Sequence, residues 1–227
     1  MPIAARSISR EHVEVFIAAE LERTAPSSAA TPYRSLQQLF GWLDEEVDGS
    51  PMAKTRPPKI PEKPVPVLPD EDVRRLLADC SGKDFRDRRD LAIIRLFLDT
   101  GMRLEGMAGL RYSANDPEGS DVDLRSRVVR ITAKGRHERV LPIGIKSARD
   151  IDRYIRVRAG HPRAADARLW LGTKGRLTAS GVYQMIKDRG AAVGLPDLLP
   201  HQLRHTFSHD WRMEGLRGGL MRLAGWK

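Results

Sequence analysis

Seven of the 15 prolines lie between Pro51 and Pro69. Proline fixes φ and has no backbone N–H, so a segment this rich in it can form neither a helix nor a central strand. It favours an extended, fairly stiff linker. The chain is therefore expected to divide into a short segment at 1–50, a linker at 51–69 and a larger domain at 70–227.

Before the linker, Val13, Phe16, Ile17 and Leu21 recur at helical spacing over residues 10–23, and Ser9 is suited to cap that helix. Thr24, Pro26, Ser27, Ser28 and Pro32 make residues 24–32 a breaking stretch. A second helix is expected over 33–47, with Leu36, Leu39, Phe40, Leu43 and Val47 on one face. After the linker, helices are expected from Pro69 and Asp70 to Leu77, over Arg86–Asp99, over 103–110, over Ser147–Arg158, from Thr178 to about Val193, over His201–Met213 and over Leu220–Trp226. Gly101 ends the second of these as glycine ends many helices. The period changes at Arg127–Thr132 and Glu138–Ile143, which read as two short strands joined by a hairpin loop at 133–137. The fold class is mainly α with a small antiparallel β-sheet, an α+β arrangement.

Charge is unevenly distributed. Residues 1–124 hold 17 Lys and Arg against 22 Asp and Glu, a net of −5, whereas residues 125–227 hold 22 against 8, a net of +14. A basic half of this kind points to a polyanionic partner, because neutralised phosphates release counterions. No stretch approaches the ~18 uninterrupted apolar residues of a spanning helix, and no signal peptide is recognisable. The single cysteine, Cys80, excludes an internal disulfide and fits a reducing, cytoplasmic setting.

Four features could carry chemistry. Arg103 follows the glycine stop in Thr100-Gly101-Met102-Arg103, where a guanidinium can project from a helix end and fork a phosphate. Lys134 lies in the hairpin loop Lys134-Gly135-Arg136-His137-Glu138-Arg139, where an ammonium can donate a proton to a leaving oxygen. In His201-Gln202-Leu203-Arg204-His205, residues 201, 204 and 205 share one helix face, which suits acid–base work beside a phosphate. Trp226, in Leu223-Ala224-Gly225-Trp226-Lys227, can offer its indole N–H to a phosphate oxygen. Taken singly, each has a plainer reading: a surface arginine, ordinary turn chemistry, a capped helix with partly buried histidines, a core tryptophan. His201, His205 and His209 also fall at i, i+4 and i+8, a possible metal face, although Gln202 stands where a zinc-protease motif has glutamate.

In this order, the four features resemble the phage-integrase, or tyrosine recombinase, family. The most specific match is His201-Gln202-Leu203-Arg204-His205-Thr206-Phe207 to the family's His-x-x-Arg motif. The resemblance implies a fragment of a helical core-binding domain over 1–50 and a catalytic domain over 70–227. It implies that Arg103 and Arg204 clamp the scissile phosphate, that Lys134 protonates the departing 5′ oxygen, that His201 serves as general acid or base, and that Trp226 buttresses the site. Arg136, Arg139 and His205 are expected to contact DNA. Double-stranded DNA is the implied partner, with four protomers acting together. No metal, ATP or other cofactor is expected, because a 3′-phosphotyrosyl link conserves the bond energy.

The chain departs from the family pattern in three places. The nucleophilic tyrosine is expected beyond the position of Trp226, but the chain as written ends at Lys227, and Tyr33, Tyr112, Tyr154 and Tyr183 match no such motif. Gly106 stands where the family usually has glutamate, with Glu105 one step early, and the segment before the linker is expected to lack the early helix or helices of a complete core-binding domain. The expectation is a truncated recombinase that binds DNA without cleaving it alone. Two alternatives stay open: a non-catalytic protein occupying recombination sites, and a metal-dependent hydrolase using His201, His205 and His209.

Overall fold

The computed structural model describes residues 7–43, 50–61, 66–116, 118–132 and 138–213, with side chains as far as His209. The chain forms two compact units, Met1–Pro64 and Val65–Lys227. Among the described residues no helix is long and apolar enough to cross a membrane.

The smaller unit holds α1 (Arg10–Arg23) and α2 (Pro26–Leu43). Ser9 caps α1 as expected: its hydroxyl accepts from the His12 amide, and His12 Nδ1 accepts from the Ser9 amide at 3.0 Å. Contrary to expectation, residues 26–32 do not break the chain but open α2, with Pro32 inside the helix. The reason is local. Pro26 is preorganised for the first helical position, and the small Ala29 and Ala30 are buried where a larger side chain would hold the helix off. Val13 and Ile17 pack with Tyr33, Phe40 and Met52, whereas Phe16, Leu21 and Leu39, expected on buried faces, are exposed. Among the described residues of this unit α1 and α2 pack on each other, and the flanks of each apolar stripe remain in water. Met52 is in this core, and the Tyr33 hydroxyl donates to the Thr55 carbonyl at 3.1 Å, so the start of the proline-rich segment is packed rather than extended.

The larger unit is built around α4 (Phe85–Thr100), which buries nine residues including Ile93, Ile94, Leu96 and Phe97. It is preceded by α3 (Asp70–Asp79) and followed by α5 (Leu104–Gly109). A three-stranded antiparallel sheet follows: β1 (Val122–Asp123), β2 (Val128–Thr132) and β3 (Glu138–Pro142), in that order. β2 pairs with β3 from Val128 opposite Pro142 to Thr132 opposite Glu138. β1 is too short to show alternation and was not expected. The turn after it explains why β2 starts one residue later than expected: the Asp123 carboxylate accepts from the Arg125 and Ser126 amides, and Arg127 takes φ +53°, outside the strand region.

Next come α6 (Ile145–Arg158), the hairpin β4 (Leu171–Gly172) and β5 (Gly175–Arg176), α7 (Ala179–Ala192) and α8 (Pro200–Met213). Both α6 and α8 pack on α4. The apolar run Leu169-Trp170-Leu171 is fully buried, with the indole N–H donating to the Met107 carbonyl at 2.9 Å. The buried Asp90 is paired. Asp90 accepts from Arg89 Nε at 2.8 Å and from Arg189 Nε at 2.9 Å, and Arg189 also reaches Asp87 and Asp79. Beside this network Cys80 is buried, and burial pushes its thiol up to about 12, so it stays protonated at neutral pH. Leu68, from the end of the proline-rich segment, lies in the core of this unit.

Candidate functional site

The site begins where α4 stops. Gly101 adopts φ +53° and its amide donates to the Phe97 carbonyl at 2.8 Å, closing the helix with a left-handed cap. Met102 is buried and anchors the next residue, so the chain turns at Arg103, which N-caps α5 in extended geometry and is exposed.

The second wall is α8. Pro200 occupies its first position, and the Gln202 side chain accepts from the Leu199 amide at 2.7 Å, satisfying a donor at the helix start. Leu203, Thr206 and Phe207 are buried. His201, Arg204 and His205 share the remaining face, with His201 exposed and the other two half-buried. The His201 and His205 rings meet edge to face at 6.3 Å between centroids.

The two walls are locked together. A guanidinium nitrogen of Arg204 donates to the Gly101 carbonyl. A Cβ on Gly101 would lie 2.3 Å from the Phe207 ring, so glycine is required there both for its positive φ and for the close approach of the ring. Neither the Gly101 carbonyl nor the Phe207 contact was expected from sequence, since both are long-range backbone effects.

β3 forms the third side. Leu141 is buried and Val140 exposed, so the pleat places Arg139 on the inward face, and Arg139 is half-buried. Burial lowers the Arg204 pKa from its ordinary value, and the nearby charges of Arg103 and Arg139 lower it further. Like charges acting on a half-buried guanidinium suit it to receive an oxyanion. Alternation along Glu138–Leu141 is the sequence signal for the face that Arg139 takes, whereas its nearness to Arg204 is a long-range effect.

Of the expected site residues, His201, Arg204 and His205 share one face of α8, and Arg103 and Arg139 lie near enough for their charges to act on Arg204. Lys134 and Arg136, in the loop between β2 and β3, and Trp226, with the helix expected over Leu220–Trp226, lie outside the described residues. The open space at Gly106 is consistent with the departure noted there: a Cβ at this position would meet nothing within 4 Å. The metal reading is not favoured. Among the described residues no three His, Cys, Asp or Glu side chains form a group able to hold an ion.

The sequence pattern described as the phage integrase family matches residues 66–226. Tyrosine recombinase XerC 1 of Ralstonia nicotianae is 32% identical over 191 residues, covering 79% of this chain and 58% of the relative. Tyrosine recombinase XerD of Shewanella oneidensis is 28% identical over 211 residues, covering 89% of this chain and 68% of the relative. The XerC of Azotobacter vinelandii is covered to 50%, so the chain spans between half and about two thirds of these relatives. Among solved structures, the Tn1549 transposon integrase in complex with transposon right-end DNA gives a TM-score of 0.78 at 18% identity, covering 98% of this chain and 79% of that one. The XerH recombinase bound to palindromic difH substrate gives 0.76 at 17% identity, covering 98% and 67%. At these identities the structural likeness is one of fold.

Proposed function

The chain belongs to the phage integrase family, and from that premise we propose that it binds double-stranded DNA and holds a scissile phosphodiester for strand breakage and rejoining by the tyrosine recombinase route. The observation that carries this reading is the Arg204 guanidinium held on the Gly101 carbonyl, two residues from Arg103, with the charges of Arg103 and Arg139 acting on it. Arg103 and Arg204 bind the two non-bridging oxygens and stabilise the charge that builds on them as phosphorus is attacked. Arg139 adds a third positive charge from the sheet side. His201, exposed at the start of α8, exchanges a proton with the reacting oxygens. On the family resemblance, Lys134 from the hairpin loop protonates the 5′ leaving oxygen and Trp226 steadies the phosphate.

The smaller unit is assigned to DNA binding as part of a core-binding domain, and the larger unit to catalysis. The XerH and Tn1549 proteins are seen on DNA, and lambda integrase as a tetramer on a Holliday junction. By analogy this chain acts on DNA as a homo-oligomer, in the cytoplasm. No metal or nucleotide has a role in the scheme.

The attacking phenol is not supplied by the tyrosines seen here. The Tyr33 hydroxyl donates into the core of the smaller unit. Tyr154 is fully buried, donates to the Leu169 carbonyl at 3.0 Å, and is pushed up to about 12 by burial. Tyr112 lies under the Arg158 guanidinium, and Tyr183 sits on α7, which contributes nothing to the arginine cluster.

The test is a salt titration of duplex binding with Arg103→Ala beside the unaltered chain. Loss of one phosphate contact should lower the slope of log K against log salt by about 1. A nicked suicide substrate should give no covalent adduct with this chain alone. A slope unchanged by Arg103→Ala, or an adduct with one of the four tyrosines, would overturn the assignment.

A further inference from the structure

We propose that Thr206 is a positioning residue for Arg204: its hydroxyl ties α8 to the backbone of Leu68 and so fixes the rotation of the helix that aims the guanidinium. The inference rests on the reading of Arg204 as a phosphate ligand.

The Thr206 hydroxyl has two partners. It donates to the Gln202 carbonyl one turn back at 3.0 Å, and it accepts from the Leu68 amide at 3.0 Å. Both Thr206 and Leu68 are buried, and 138 residues separate them. Leu68 precedes Pro69, which N-caps α3, so the Leu68 amide is held in extended chain, outside the helical ladder of α3. A buried amide in that position requires an acceptor, and the Thr206 hydroxyl supplies it.

Helix geometry turns this bond into a constraint on the site. Thr206 and Arg204 are two residues apart, which separates them by roughly 200° around the axis. They therefore face opposite sides of α8. On the Arg204 side the helix is held by the Gly101 carbonyl and by Phe207 against Gly101. On the other side it is held by Thr206 and Leu68. A helix gripped from both sides cannot roll, and a roll of a few degrees is what would swing a guanidinium out of register with Arg103 and Arg139. Valine has the shape of threonine but no acceptor, so Thr206→Val removes the second grip while keeping the packing. Thr206→Ser restores the acceptor.

The experiment uses the whole ¹⁵N-labelled chain with inorganic phosphate as the probe, read at the arginine Nε–Hε resonances. In the unaltered chain, phosphate should shift the Arg103 and Arg204 resonances. If neither responds, the phosphate reading itself fails. Given that response, Thr206→Val should weaken phosphate binding at Arg204 about fivefold, and Thr206→Ser should restore it. A general packing role would not be rescued in this selective way. A second measurement needs no variant. Because coupling between sites is reciprocal, saturating phosphate should slow hydrogen exchange at the Leu68 amide of the unaltered chain, again about fivefold. Arg204 responding to phosphate while Leu68 exchange is unchanged would overturn the proposal. So would a folded Thr206→Val variant that binds phosphate as the unaltered chain does.

Discussion

Arg204→Ala should weaken binding to a duplex about 30-fold, close to 2 kcal/mol, at fixed moderate salt. The size follows from the surroundings. This guanidinium is half-buried, donates to the Gly101 carbonyl, and has its pKa lowered by burial and by Arg103 and Arg139. Burial and the two like charges raise the cost of the cation without DNA, and an approaching phosphate relieves that cost, while the Gly101 carbonyl holds the guanidinium in place. Arg204→Lys should recover only part of the loss. A lysine keeps the charge but has no planar fork with which to hold the Gly101 carbonyl and an oxyanion together. Fluorescence anisotropy on the three proteins measures this directly. An Arg204→Ala protein that binds DNA within twofold of the unaltered chain would remove Arg204 from the contact surface.

The largest effect on stability is expected at Arg158, far from any proposed chemistry. Its guanidinium is buried and ties down the loop between α6 and β4 by donating to four carbonyls: Leu169 at 2.9 Å, Ala164 at 3.0 Å, Asp166 at 2.6 Å and Arg168 at 2.7 Å. It also lies 5.3 Å over the Tyr112 ring. Arg158→Met keeps the apolar stem but strands the Ala164, Asp166 and Arg168 carbonyls, while the Leu169 carbonyl keeps the Tyr154 hydroxyl. Hydrogen bonds to a charged donor contribute about 1.5–3 kcal/mol each, and relaxation with water entry recovers part of that sum. A net loss of about 4 kcal/mol is expected, a large share of the ~5–15 kcal/mol typical of a domain. The midpoint of urea unfolding reports it. A loss under about 1 kcal/mol would mean that the loop is held elsewhere.

Periodicity made most of the fold legible. The stripe of α4, the Thr178 cap of α7 and the hairpin of β2 and β3 follow from local spacing, and local spacing is what a sequence displays. α2 starts earlier than expected because Pro26 and Pro32 look like breaks locally, whereas the burial of Ala29 and Ala30 decides the outcome. β1 was invisible because two residues cannot show a period. In the site, Arg103 and the 201-204-205 face were legible from the glycine stop and from helical spacing. Their meeting was not, because it depends on the Gly101 carbonyl and the Phe207 ring, which sit about a hundred residues apart in the chain. Gln202 as a cap and Thr206 as an anchor were likewise hidden, since each acts through the backbone of another segment.

The most direct measurement is the structure of this chain bound to a duplex selected by the protein itself. One backbone phosphate should lie within hydrogen-bond distance of both Arg103 and Arg204, with His201 beside it and Arg139 on the sheet side. Duplex seated on another face, with those guanidiniums turned to solvent, would contradict the assignment.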